Sequence, residues 1–134
     1  MKNSNNLFKK FVLIMGIFNF PIGIWMITES LLNKTGESLI TNVVSGEFII
    51  FTGAALVWAT TKLSSRAPII VWNGLVRFFS VLFVIYASTN GEVPEPMFYI
   101  TGMDLLLAIT FIFGTVKVTG VPLSKLIVGK TNDL

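Results

Sequence analysis

Five side chains carry the chemistry open to this sequence: Arg77, Asp104, Glu47, Asn19 and Asn73. Arg77 makes the strongest demand, because it stands near the midpoint of the apolar stretch Ile69–Ala87, IIVWNGLVRFFSVLFVIYA. A guanidinium in hydrocarbon costs about 2.5 kcal/mol or more. It stays charged, so it needs partners. The sequence offers two carboxylates, Glu47 and Asp104, each inside another apolar stretch. Such a set can act in three ways. As an ion pair it fixes which helix faces meet. As a polar pocket, with Asn19 and Asn73 beside it, it binds an anionic or polar group of a ligand. As catalytic groups, Glu47 or Asp104 exchange protons with a substrate. No nucleophile–base pair, phosphate loop or metal motif accompanies these residues. Cysteine and histidine are both absent, which excludes disulfides, thiol redox chemistry and zinc or haem sites built on those residues. No cofactor and no metal are implied.

The elements that must position these groups are read from hydropathy. Of 134 residues, 53% are hydrophobic and 13% charged, with a mean hydropathy of +0.77. A soluble domain carries roughly 25% charged residues. The charges also lie mostly between long apolar runs, which is the pattern of an integral membrane protein. Four runs approach the roughly 20 residues needed to span hydrocarbon as a helix. They cover about 7–30, 43–61, 69–87 and 97–116, and a short tail of 117–134 follows. The fold class expected is all-α: an integral membrane four-helix bundle in a single domain. The first run has the basic start of a signal peptide, but no A-x-A-like site follows it, so it is read as a retained helix. Breaks fall at Asn33–Asn42, at Lys62–Pro68, whose proline suits the first turn of the next helix, and at Ser88–Pro96, with Asn-Gly and two prolines. Pro21 is expected to bend the first helix. The tail is too short to span; it is expected on the membrane surface or docked on the bundle, with its last few residues mobile.

Orientation follows from the basic residues. Lys2, Lys9 and Lys10 precede the first span, Lys62 and Arg66 lie between the second and third, and Lys117, Lys125 and Lys130 follow the fourth. The outer segments hold Lys34 and the acids Glu92 and Glu95. The positive-inside rule then gives an up-down-up-down course with both termini cytoplasmic. The net charge of +3 is spent on topology rather than gathered into a nucleic-acid patch. On this course Glu47 lies about 6 Å, Asp104 about 10 Å and Arg77 about 15 Å below the outer boundary. An Arg77–Asp104 pair is within reach, with Glu47 above it. Gly16, Asn19, Gly23 and Ser30 share one helical face, as do Thr101, Asp104, Ala108 and Thr115. Small and polar stripes of this kind let membrane helices meet. Trp25, Trp58, Trp72, Tyr86 and Tyr99 lie toward span ends, where aromatic residues anchor at the interface.

The length, the four spans, the acidic opening of the second span (SGEFIIFTGAALVW), the run WNGLVRFF, the Pro-containing outer loop and TGMDLLLAITFIFG together resemble the small bacterial four-helix membrane proteins of the DoxX-like families. Where that pattern has an Arg at the start of the first span, this chain has Lys9 and Lys10. The resemblance implies a multi-pass protein of the bacterial inner membrane, an accessory to redox or stress systems, with no catalytic residues to carry over. The leading expectation is therefore a non-enzymatic accessory subunit, or a binder or carrier of a small lipophilic or anionic molecule, with Arg77, Asp104, Glu47, Asn19 and Asn73 lining its pocket. The alternatives are a structural scaffold that assembles with itself or a larger membrane complex, and a membrane enzyme using Glu47 or Asp104 as acid/base. The lipid bilayer is the partner common to all three.

Overall fold

In the computed structural model the described residues, 2–33, 38–91 and 93–131, form an all-helical chain with no strand among them. The four long helices are α1 (Lys2–Asn33), α2 (Ser38–Thr61), α3 (Leu63–Ser88) and α4 (Glu95–Thr119). A short α5 (Leu123–Ile127) follows. The long helices hold 32, 24, 26 and 25 residues, so each runs for about 36 Å or more. All four are long and apolar enough to cross a membrane. Only a minority of each span is buried inside the protein, and large apolar side chains such as Phe51, Phe83, Leu106 and Phe113 stand outward. Water does not tolerate that much contiguous apolar surface; lipid does. These are the dimensions and the surface of a multi-pass membrane protein.

Every helix outlasts its apolar run. α1 begins at Lys2 and continues as one helix through Pro21. The expected break Lys62–Pro68 is helical apart from Lys62, a one-residue turn between α2 and α3. Pro68 sits in the second turn of α3, where its missing N–H removes a single bond close to a helix start that already leaves four N–H groups unpaired. The break at Ser88–Pro96 is as expected: Thr89, Asn90 and Gly91 turn on the carbonyls of Tyr86, Ala87 and Ser88, and Pro94 caps α4 with Pro96 in its first turn. The centre of the first break, 34–37, with Lys34, lies outside the described residues. So do Glu92 of the third break and the expected mobile end, 132–134.

The chain divides into two compact units, Met1–Lys62 and Leu63–Leu134. In the first, α1 and α2 pack along a seam of four glycines. A Cβ placed on Gly16 would lie 3.0 Å from the Gly53 carbonyl oxygen, and one on Gly53 would lie 2.6 Å from that of Gly16. The second pair is tighter, at 2.5 Å from Gly23 to the Gly46 oxygen and 2.8 Å in return. Low-numbered glycines of α1 face high-numbered ones of α2, so the two helices run antiparallel. Both pairs are seven residues apart on their own helix, the period that keeps one stripe facing a partner over two turns. The backbones approach so closely that each glycine Cα–H points at a facing carbonyl, a weak but recurrent contact at helix interfaces.

In the second unit α3 packs on α4, and the chain then returns to α3. A Cβ on Gly74 would meet Ile112 at 2.9 Å, Phe111 at 3.1 Å and the Ala108 carbonyl oxygen at 3.2 Å. Gly120 ends α4 with φ 68°, its N–H on the Val116 carbonyl. Such left-handed helix ends favour glycine because no Cβ opposes them. The reversal lets Val121 and Leu126 close a small core with Ala67 and Val71. Of the two placements expected for the tail, this is docking, and its site is the first part of α3.

The glycine seam predicts a sharp contrast between two substitutions of one kind. Gly23→Ala must push two backbones apart, which should destabilise the protein by about 1–3 kcal/mol. Gly102→Ala, where a Cβ meets nothing within 4 Å, should be neutral or stabilising by up to about 1 kcal/mol, since Ala is the better helix former. Thermal or SDS unfolding of the detergent-solubilised variants measures both.

Candidate functional site

Asn73 and Arg77 lie one turn apart on α3, so their side chains share a face. The Arg77 Nε–H donates to Asn73 Oδ1 at 3.1 Å. That bond holds the guanidinium plane toward α4. There the Nη1 group donates to Asp104 Oδ1 in a salt bridge. Gly74 sits between the two α3 residues and brings α4 close, so an arginine can span the gap in ordinary reach. The three polar residues are therefore positioned by one α3 turn, one glycine and the antiparallel register of α4.

The pair is half-buried rather than sealed in, with side chains 20% (Arg77) and 26% (Asp104) exposed. A guanidinium has five N–H donors; Asn73 and Asp104 occupy two of the edges. Among the described residues no buried side-chain nitrogen or oxygen lacks a partner, so the rest of the guanidinium opens to the surface. Chemically this is a neutralised cation with donors to spare. It can accept a carbonyl, phosphate or carboxylate oxygen from outside the protein.

The other expected site residues, Asn19 and Glu47, belong to the first unit. Asn19 is buried at 6% exposure in the α1/α2 seam, with glycine pairs on either side. Its Nδ2 donates to Thr52 Oγ1 at 3.3 Å, and Thr52 donates in turn to the Ile49 carbonyl. Asn19 is thus a polar rivet in the first unit. Glu47 is exposed on α2 of that unit. The cluster that the structure assembles is Arg77, Asp104 and Asn73. Of the residues grouped with Asp104 by helical face, Ala108 and Thr115 are buried; Ser80, three residues after Arg77 on α3, is exposed and its hydroxyl donates to the Val76 carbonyl.

Two contacts escaped the sequence. Thr52 is the partner of Asn19, and the signal for it was its place beside Gly53, the glycine that faces Gly16. Trp72, expected only as an interfacial anchor, also donates its Nε1–H to the Ile127 carbonyl at 3.0 Å and ties the tail to α3. Among the described residues no group of three or more carboxylates could hold a metal ion.

Removing one partner of the charged pair leaves the other uncompensated. Arg77→Leu and Asp104→Leu should each lower stability in detergent, and the double variant should recover most of the loss. A double-mutant cycle by SDS unfolding should give a coupling of roughly 0.6–2 kcal/mol, the range for polar pairs between membrane helices.

Comparison of the chain with protein-family models, with curated proteins and with solved structures finds no match.

Proposed function

We propose that this chain is a non-enzymatic protein of the bacterial inner membrane whose Arg77–Asp104–Asn73 cluster holds the polar group of a small lipophilic molecule, as a carrier or as an accessory subunit. The four spans run up-down-up-down with both termini cytoplasmic. The DoxX-like pattern of the sequence agrees with that placement, and the distribution of Lys and Arg gives its direction. One observation carries the binding reading: a guanidinium oriented by Asn73, neutralised by Asp104, and still open on its remaining N–H groups.

Charge balance narrows the ligand. With Asp104 in place the cluster is neutral, so a neutral acceptor such as a quinone or ester carbonyl adds no charge to a medium of low dielectric. An anion fits only when Asp104 is displaced from the guanidinium. The direct Arg77–Asp104 bond favours a second reading, a scaffold in which the pair does no more than join α3 to α4. A scaffold tolerates apolar replacement of the whole pair; a binder does not.

Native mass spectrometry of the detergent-purified protein separates them. The binding reading expects a discrete lipophilic adduct on the parent, absent from Arg77→Leu. It also expects Asp104→Asn to keep the adduct of a neutral ligand and to strengthen that of an anion. A parent without adduct, or a well-assembled Arg77→Leu that retains it, ends the binding reading. Topology is checked separately. A reporter after Lys130 should be active only on the cytoplasmic side, and a cysteine placed at Glu95 should react with an impermeant reagent added from outside.

A further inference from the structure

The returning tail carries a feature that the Arg77 cluster does not use. Between Lys117 and Thr131 the chain holds three lysines and no acid. Lys117, Lys125 and Lys130 are all exposed. Their placement is fixed by backbone structure. Gly129, at φ 76°, lets the chain reverse after α5, so that the Lys130 N–H donates to the Lys125 carbonyl at 2.9 Å and the Gly129 N–H to that of Leu126. Lys125 and Lys130 are thereby joined backbone to backbone. Beneath them Val121 and Leu126 are fully buried against Ala67 and Val71. Trp72, itself half exposed, locks the end of α5 through its bond to Ile127. Beside the lysines Val128 is 65% exposed, whereas Val121 and Leu126 of the same segment are buried.

We propose that this pinned tail is a binding platform for the headgroups of anionic lipids. Lysines on a flexible tail would share their counterions with bulk water, whereas these are carried on a segment clamped to a membrane-spanning helix. The half-exposed Trp72 has the side chain that settles at headgroup level. Val128 supplies the apolar contact that dips below it. Within 117–131 the charge is of one sign and is carried on exposed side chains. An anionic phospholipid meets all three demands: a phosphate for the ammonium groups, a net negative charge, and acyl chains beside Val128.

The test uses the full-length protein reconstituted in phosphatidylcholine bilayers, with spin-labelled phosphatidylglycerol and spin-labelled phosphatidylcholine as probes. The expected result is a preference for phosphatidylglycerol that falls about fivefold for each lysine lost, the factor for a basic residue at an anionic surface. Lys125→Gln with Lys130→Gln removes two of the three charges and leaves the buried tail residues intact. Trp72→Phe keeps every charge but releases Ile127; it should lower the preference as well, because the lysines are no longer held in place. Inorganic phosphate at constant ionic strength should leave the preference unchanged. Equal association of the two lipids with the parent protein overturns the proposal. So does a preference that the double lysine variant leaves undiminished, and so does competition by inorganic phosphate, which would make the platform a site for free phosphate. None of these readings depends on Arg77, so its adduct and this preference succeed or fail independently.

Discussion

Helices in lipid gain almost nothing by hiding leucine from their surroundings, because the surroundings are as apolar as leucine. What remains is close backbone packing and polar contact between helices. Both units of this chain obey that constraint in the same way. A glycine brings the partner helix near, and three residues later on the same helix a polar side chain crosses to it. Gly16 is followed by Asn19, which reaches Thr52; Gly74 is followed by Arg77, which reaches Asp104. Most of the large apolar residues are left outward, the surface that acyl chains rather than water would cover. Their exposure is what a protein soluble in water would have to avoid.

The sequence made the spans legible because hydropathy integrates over a whole membrane thickness. It was a poor guide to helix ends. Leu63–Ala67 is polar enough to look like a loop, yet backbone N–H and C=O groups near an interface bond within a helix as readily as to water, and α3 starts there. The Arg77–Asp104 contact was also legible, since a charge at that depth leaves few partners and rise per residue ranks them. Asn73 followed from spacing alone. Glu47 belongs to the other unit and is exposed on α2; depth ranks candidates along the membrane normal but is silent on which face of α2 the side chain takes.

The seam between α1 and α2 was the part least readable from one helix at a time. Gly16 and Gly23 do not fit the four-residue spacing associated with membrane dimers, and taken alone they are merely small residues on one face. Their meaning lies in a second helix with the same interval, Gly46 to Gly53. An antiparallel register that matches one pair matches the other. It also sets Thr52 opposite Asn19. Hydropathy scores each span by itself and cannot register an agreement between two of them. A search for equal intervals of glycine on neighbouring spans would have found it.

The two hairpins also bear on why one of them is charged. Asn19 and Thr52 dock α1 on α2 with neutral groups, for which burial is cheap once they bond to each other. The same device built from Arg77 and Asp104 requires two ions to leave water, and attraction between them repays that loss only in part. Docking α3 on α4 therefore does not itself call for charge; the first unit shows that an amide and a hydroxyl suffice beside close-packed glycines. Nor does the charged pair become better protected, since both of its side chains stay a fifth to a quarter exposed where Asn19 is almost fully enclosed. A guanidinium differs from an amide in keeping several donors free after its partner is satisfied, and the Arg77 side chain stays 20% exposed. In hydrocarbon those donors need an acceptor. That need is what supports a bound polar group at Arg77 over a purely mechanical role for the pair.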